Sequence, residues 1–177
     1  GKLVGTVTPT DLHYERSHSG VPDLDPATHR LLIHGLVEKP LVLKLSDLKA
    51  MPSVSRVHFI ECTGNGWENW KKADPELTVQ NTHGLISTNE WTGVPLRLVL
   101  EEAGIQPNAI EVLFEGCDAG SESDHPQPMF FARSLPLDKA LHPDVLLAYR
   151  MNGESLEPRH GFPLRLLVPG WIGIASI

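Results

Sequence analysis

Long apolar runs are missing from this 177-residue sequence. None approaches the roughly 18–20 residues that cross a bilayer as a helix. Positive charge is scarce too: 15 Lys and Arg stand against 22 Asp and Glu, for a formal net charge of −7. That argues against nucleic acid or an anionic membrane surface as the main partner, since both demand a basic face. A small anionic substrate stays open, because a local Arg and His cluster can sit in an acidic protein. Cysteine is limited to 2 residues, Cys62 and Cys117. They make no disulfide framework and no Cys-x-x-Cys metal motif, and a single bridge between them is the most the count allows. The chain opens at Gly1 with neither an initiator Met nor a leader pattern, as a processed or trimmed chain would.

What is present reads as one domain, residues 1–177, long enough to bury roughly two-thirds of its unfolded surface without a disulfide or metal to hold it folded. Glycine and proline are plentiful at 15 each, which favours strands, turns and ordered loops over a helical bundle. The first thirty residues are polar and Pro-rich (Thr8-Pro9, Val21-Pro22, Asp25-Pro26) and read as an extended arm that something must tie down. Strands are expected at Leu31–Val37, Leu41–Leu45, Val54–Cys62, Ala109–Glu115, Val145–Arg150 and Leu164–Val168, with Asn152-Gly153 as a hairpin turn. Helices are expected at Ser46–Met51, capped by Ser46, at Pro95–Ala103, stopped by Gly104, and at Leu137–Leu141. The sum is a mixed, strand-rich α+β domain with long ordered loops, the places where function usually sits.

Three segments could carry chemistry. In Glu61-Cys62-Thr63-Gly64-Asn65-Gly66 a strand delivers a thiol to its end and a Gly-rich turn follows at once. A thiolate presented there, with backbone free to approach, is a soft ligand for a redox-active metal, although a free Cys more commonly packs as a small hydrophobe. Arg16 and His18, two apart in an extended arm, make a compact anion-binding pair, or else a solvated loop. His160 and Arg165 bracket a Gly-Phe-Pro corner at the entrance to an apolar strand, suited either to a phosphate or to plain turn chemistry. The 9 histidines include no His-Glu-x-x-His or similar zinc spacing. Walker, Gly-x-Ser-x-Gly and Cys-x-x-Cys-His motifs are missing as well.

Taken in order, the segments resemble a family. Glu61-Cys62-Thr63-Gly64-Asn65 resembles the Cys-(Ala/Ser/Thr)-Gly-Asn motif of the sulfite oxidase family of molybdopterin enzymes, which includes assimilatory nitrate reductase. Arg16-Ser17-His18 followed by Val21-Pro22 is similar to its Arg-Asn-His…Val-Pro segment. Ser87-Thr88-Asn89-Glu90-Trp91-Thr92-Gly93-Val94-Pro95-Leu96, Phe114-Glu115-Gly116-Cys117-Asp118, Ala148-Tyr149-Arg150-Met151-Asn152-Gly153, His160-Gly161-Phe162-Pro163-Leu164-Arg165 and Val168-Pro169-Gly170 follow in the family's order and spacing. The resemblance spans nearly the whole chain and shifts the reading of Cys62 from packing residue to ligand.

The resemblance implies a strand-rich sulfite-oxidase-type fold and a molybdenum-molybdopterin cofactor. It makes Cys62 the thiolate ligand of molybdenum and, with Arg16, a catalytic residue. Arg16 would face the oxyanion near the metal and cofactor; His18, Asp118, His160 and Arg165 would hold the pterin and its phosphate; Thr63 and Asn65 would join the cofactor-binding set. A thiolate with the pterin dithiolene makes a soft sulfur set for a metal that cycles by two electrons. The implied reaction is oxidation of sulfite or a related sulfur compound by oxo transfer, with electrons passed to a separate cytochrome. The implied location is the periplasm, where bacterial relatives are usually exported.

Three departures from the family pattern follow. Gly66-Trp67 stands where many members carry Arg-Arg, which removes one substrate-side Arg and points to the bacterial sulfur-compound dehydrogenase branch. The chain ends at Ile177, where the family continues into a Lys-Trp motif and, later, a substrate-site Tyr. The family's C-terminal dimerisation domain is not part of the sequence, and the oligomeric state is left open. Two alternatives therefore stand beside the dehydrogenase: a non-catalytic pterin- or protein-binding domain, and a sulfoxide-type reductase on the same cofactor. Cys117 is expected to be a packing residue.

Overall fold

The structure, a computed structural model, describes residues 5–17, 20–71, 76–120 and 127–177. Its centre is a sheet of antiparallel strands. β3 (Val54–Glu61) pairs with β4 (Ile86–Pro95), and β4 pairs with β7 (Leu146–Met151). On its other side β7 takes both β8 (Glu154–Ser155) and β9 (Arg165–Leu167). Two smaller hairpins flank it: β1 (Leu31–Ile33) with β2 (Leu41–Leu43), and β5 (Glu111–Gly120) with β6 (Met129–Pro136). The helices are short: α1 (Leu45–Ala50), α2 (Val79–His83), α3 (Leu96–Ala103) and α4 (Leu137–Ala140). This is the mixed, strand-rich α+β fold read from the sequence.

β7 is apolar at nearly every position because it is covered on both faces. Its alternate residues feed two cores, as the period of two along a strand requires. Leu147 and Tyr149 join Val94, Val99, Leu100, Leu135 and Leu166 in one. Leu146 and Ala148 join Ile60, Trp91 and Leu167 in the other; past Arg150 the alternation breaks, and Met151 packs in this second core as well. Each fully buried Leu or Val contributes roughly 1.5–3 kcal/mol. The pairing of β4 with β7 shifts register between Thr92 and Gly93. A Cβ at Gly93 would sit 2.2 Å from the Leu147 carbonyl oxygen, so only glycine fits this close approach.

α3 forms as expected: Leu96, Val99, Leu100 and Ala103 line its buried face, and Gly104 closes it at φ +71°. Its amide donates to the carbonyls of Leu100 and Glu101. The β7–β8 turn is the expected Asn152-Gly153, both at positive φ. α1 starts one residue earlier than expected and does not use Ser46 as its cap. The Lys44 amide instead donates to the Asp47 carboxylate at 2.8 Å, which ties the first turn from inside the helix. The expected strand from Leu31 to Val37 stops at Ile33, and Val37 forms only an isolated bridge to Ile105.

The N-terminal arm is held by side chains. The Thr8 amide donates to the Thr88 carbonyl at 2.7 Å and the Thr8 hydroxyl accepts from the Thr88 amide at 3.2 Å. The Thr8 carbonyl accepts from Asn89 Nδ2 at 2.8 Å and Asn152 Nδ2 at 3.0 Å. The Tyr14 amide donates to Ser87 Oγ at 3.1 Å. β4 therefore presents the arm with polar side chains that are themselves buried: Ser87 is 3% and Asn89 0% exposed. Among the described residues no helix is long and apolar enough to cross a membrane.

Candidate active site

Cys62 follows the last residue of β3. Its amide donates to the Leu85 carbonyl at 2.9 Å, and its carbonyl accepts from the Asn65 amide at 2.9 Å, closing a tight turn. The Gly64 amide lies 3.4 Å from Sγ. Gly66, at φ +79°, leads into a short 3-10 turn over Trp67–Trp70, and its amide is held by the Thr82 carbonyl at 2.8 Å. Cys62 is free and half-buried. The Cys62–Cys117 bridge that the count allows is not formed. Cys117 is free and exposed in β5, which corrects its expected role as a packing residue.

Asn65 has both ends of its amide engaged inside the loop. Nδ2 donates to Glu61 Oε1 at 2.8 Å, and Oδ1 accepts from the Leu85 amide at 3.1 Å. It ties the Cys loop to the start of β4.

Across from Cys62 lies a buried cluster of nitrogen-bearing side chains. His13 Nδ1 is 2.6 Å from Asn89 Oδ1. Asn89 Nδ2 donates to Thr8, so Oδ1 is the acceptor here and His13 carries its proton on Nδ1. Burial is the main cause that holds the His13 pKa down at about 4; the positive charges of Arg165, His160 and Arg159 push the same way, and the bond to Asn89 opposes them. The ring of His13 stacks on Tyr14 at 5.2 Å and meets His160 edge-on at 4.7 Å.

His160 ends a 3-10 turn, Pro158–His160, and is 1% exposed. Neither ring nitrogen makes a hydrogen bond; Nδ1 is only within 3.7 Å of Glu157 Oε2. Its pKa is lowered by burial first and by Arg159 next. Arg165 donates from Nη1 to the His160 carbonyl at 3.0 Å and from Nη2 to the Ser176 carbonyl at 2.9 Å. Its Nε is buried without a partner, and the guanidinium lies over the Trp91 ring at 5.4 Å. Burial lowers its pKa to about 10, so it stays charged at neutral pH. No carboxylate among the described residues pairs with it. A buried cation without a counter-charge is costly; carbonyl oxygens satisfy only part of its need.

Arg16, Cys62, Thr63, Asp118, His160 and Arg165 line one cavity of about 1160 Å³. Arg16 and Thr63 are exposed at its edge, and Arg16 has no hydrogen bond or ion pair among the described residues. Asp118 sits on the irregular stretch of β5, where a Cβ at Gly116 would meet its Oδ1 at 2.5 Å. His18 lies outside the described residues. Asn65 is not on the cavity wall, because its amide is committed to the loop. Sequence reasoning missed His13 and Tyr14, which line the cavity immediately before Arg16. The signal was local: a His-Tyr pair directly ahead of a candidate anion-binding Arg.

Known proteins are similar to this chain along nearly its whole length. Residues 18–177 match the family described as oxidoreductase molybdopterin binding domain. The chain is 35% identical over 176 residues to the NADH nitrate reductase of Ulva prolifera, covering 98% of this chain and 20% of that protein. It is 38% identical over 173 residues to the mitochondrial sulfite oxidase of Drosophila melanogaster, covering 96% of this chain and 29% of that one. Among solved structures, the sulfane dehydrogenase SoxCD from Paracoccus pantotrophus superposes with a TM-score of 0.86 at 40% identity, over 99% of this chain and 42% of that chain. The chain thus spans less than a third of either curated relative.

Proposed function

We propose, from the premise that this chain belongs to the oxidoreductase molybdopterin-binding family, that it is the cofactor-holding domain of an enzyme that oxidises sulfite or a related small sulfur compound. The observation that carries this reading is one cavity lined by a free thiol, a rim Arg and a buried His and Arg, the last three without a carboxylate hydrogen-bonded to them among the described residues.

The cavity fits a pterin cofactor with an anionic phosphate. Among the described residues Arg165 is a buried guanidinium with no carboxylate partner, and His160 offers two ring nitrogens without a hydrogen bond. These two would hold the phosphate, with Asp118 and His18 toward the pterin. Cys62 would give its thiolate to molybdenum, a soft donor for that metal. When bound, the cofactor supplies a metal that exchanges an oxygen atom and two electrons.

The remaining work falls to the protein. Arg16 would bind the sulfur oxyanion through its planar donors, with no carboxylate among the described residues to compete. Ile60, buried on the cavity wall with Trp91 in the core behind it, would keep water from that side of the pocket. Thr63 would stand beside Cys62 at the rim. Asn65 would act through the loop, holding the thiol where β3 delivers it. The Gly66-Trp67 pair, in place of a second Arg, and the likeness to a sulfane dehydrogenase support a sulfur compound over nitrate. We place the enzyme in the periplasm, passing electrons to a separate cytochrome.

Stopped-flow reduction of the purified holoenzyme tests this. Sulfite or thiosulfate should bleach the metal absorbance, and an added c-type cytochrome should then be reduced. Bleaching by neither compound, with nitrate oxidising the dithionite-reduced enzyme, would contradict the reading.

A further inference from the structure

One hydroxyl on the cavity wall is held in place and unused. Tyr14 sits two residues before Arg16 and lines the same cavity as Cys62. Its amide is fixed by Ser87 Oγ at 3.1 Å. Its ring lies flat on His13, 12° from parallel, and His13 is in turn locked to Asn89. The ring also packs against the core of Ile60 and Trp91. Gly173 comes so close that a Cβ there would lie 3.0 Å from Tyr14 Oη and 2.8 Å from the Glu61 carbonyl oxygen. The phenol is thus pinned on several sides, yet Oη makes no hydrogen bond with any described residue. Half-buried phenols usually find a partner.

We propose that the Tyr14 hydroxyl is a substrate-binding donor, which gives a hydrogen bond to an oxygen of the sulfur oxyanion that Arg16 binds beside Cys62. The proposal rests on the function proposed above. A tetrahedral or pyramidal oxyanion has more acceptor oxygens than one Arg can serve, and the loop after Cys62 supplies Gly66-Trp67 rather than a second cation. Tyr14 fills that need without charge. The groups facing it are Cys62, Glu61 and Arg165. A phenol ordinarily titrates at about 10, so at neutral pH it keeps its proton and is a donor. Being neutral, it favours an anion whose oxygen reaches it over a more distant or smaller one. It sets selectivity by geometry.

The test compares Tyr14→Phe and Arg16→Gln with the native holoenzyme. The readouts are molybdenum per chain, KM and kcat with sulfite, and sulfate affinity by calorimetry. Tyr14→Phe should keep its molybdenum, hold kcat within about twofold, and raise both KM and the sulfate Kd about five- to tenfold, the span of one net hydrogen bond. An unchanged KM and Kd in Tyr14→Phe, with a large rise in Arg16→Gln, would overturn the role of Tyr14 and leave the function standing. Loss of molybdenum in Tyr14→Phe would overturn it too, since the hydroxyl would then serve the cofactor. A native protein without molybdenum or sulfite response would overturn the function beneath it and this proposal together.

Discussion

On one side of β7, Leu147 packs with Val94, Val99 and Leu135 in a layer built of apolar side chains. On the other side Trp91 packs with Leu146 and Leu167, but its ring also meets His13 edge-on at 5.7 Å and Arg165 at 5.4 Å. The first layer is complete in itself, since dispersion and water exclusion satisfy everything it buries. The second includes buried nitrogens on His160 and Arg165 that the described residues do not satisfy. Their placement costs folding free energy, which an anion bound there would return. The same strand therefore separates a layer whose buried groups are all satisfied from the region proposed to bind the cofactor.

The sharpest way to break this comparison is to remove the thiol. Cys62→Ser should lower turnover at least a thousandfold while the melting temperature of the cofactor-free protein stays within about 2 °C. A variant that keeps its turnover would sink the assignment.

A core change should do the reverse. Leu135→Ala, at a fully buried position, should cost about 2–5 kcal/mol. That is a fall of roughly 2–4 °C per kcal/mol for a chain of this size. The molybdenum content of the chains that remain folded should not change. Calorimetry paired with metal analysis reads both.

Acid should weaken the second region. The His13 pKa is lowered in the folded state to about 4 from 6.5, so the unfolded chain binds the proton more readily between those values. Stability from this site is fully present above pH 6.5 and falls as pH drops toward 4, by roughly 3 kcal/mol in all. His160, lowered in the same direction, adds to the loss. Urea denaturation against pH should show that slope, and His13→Phe should flatten it. An unaltered slope in that variant would remove His13 as its source.

The finest distinction concerns Arg165. Arg165→Met should leave the cofactor-free protein as stable or slightly more so, because an unpaired buried charge is lost, while cofactor retention falls. A marked drop in cofactor-free stability would make Arg165 a structural residue.

Much of this contrast was legible in the sequence, and the failures are instructive. Strands that feed the apolar layer, such as β7, read directly from their apolar runs. β4 was recognised only as a motif, because its inward positions Ser87 and Asn89 are polar: they face the arm, not a core. Period-two hydrophobicity is silent when the buried partner is a backbone. β6 was missed because it is largely exposed and carries no alternation. The strand–Cys–Gly turn and the His160/Arg165 corner stand out in the sequence because each is local, and both line the cavity. Asn65 lay close to Cys62 in sequence, but its amide turns inward to Glu61 and Leu85. Cys117 was read as packed, yet the irregular stretch of β5 leaves it exposed. His13 owes its place to contacts with Asn89 and His160, and Tyr14 to Ser87, all far along the chain, which no local pattern encodes.

The central claim is that the cavity gathers Cys62, His160 and Arg165 around one molybdenum cofactor. Elemental analysis of the protein, purified from a host that makes the cofactor, tests it most directly when run beside Cys62→Ser. The account predicts about one molybdenum per native chain and a sharp fall in the variant. Equal molybdenum in both, or none in the native protein, would contradict it.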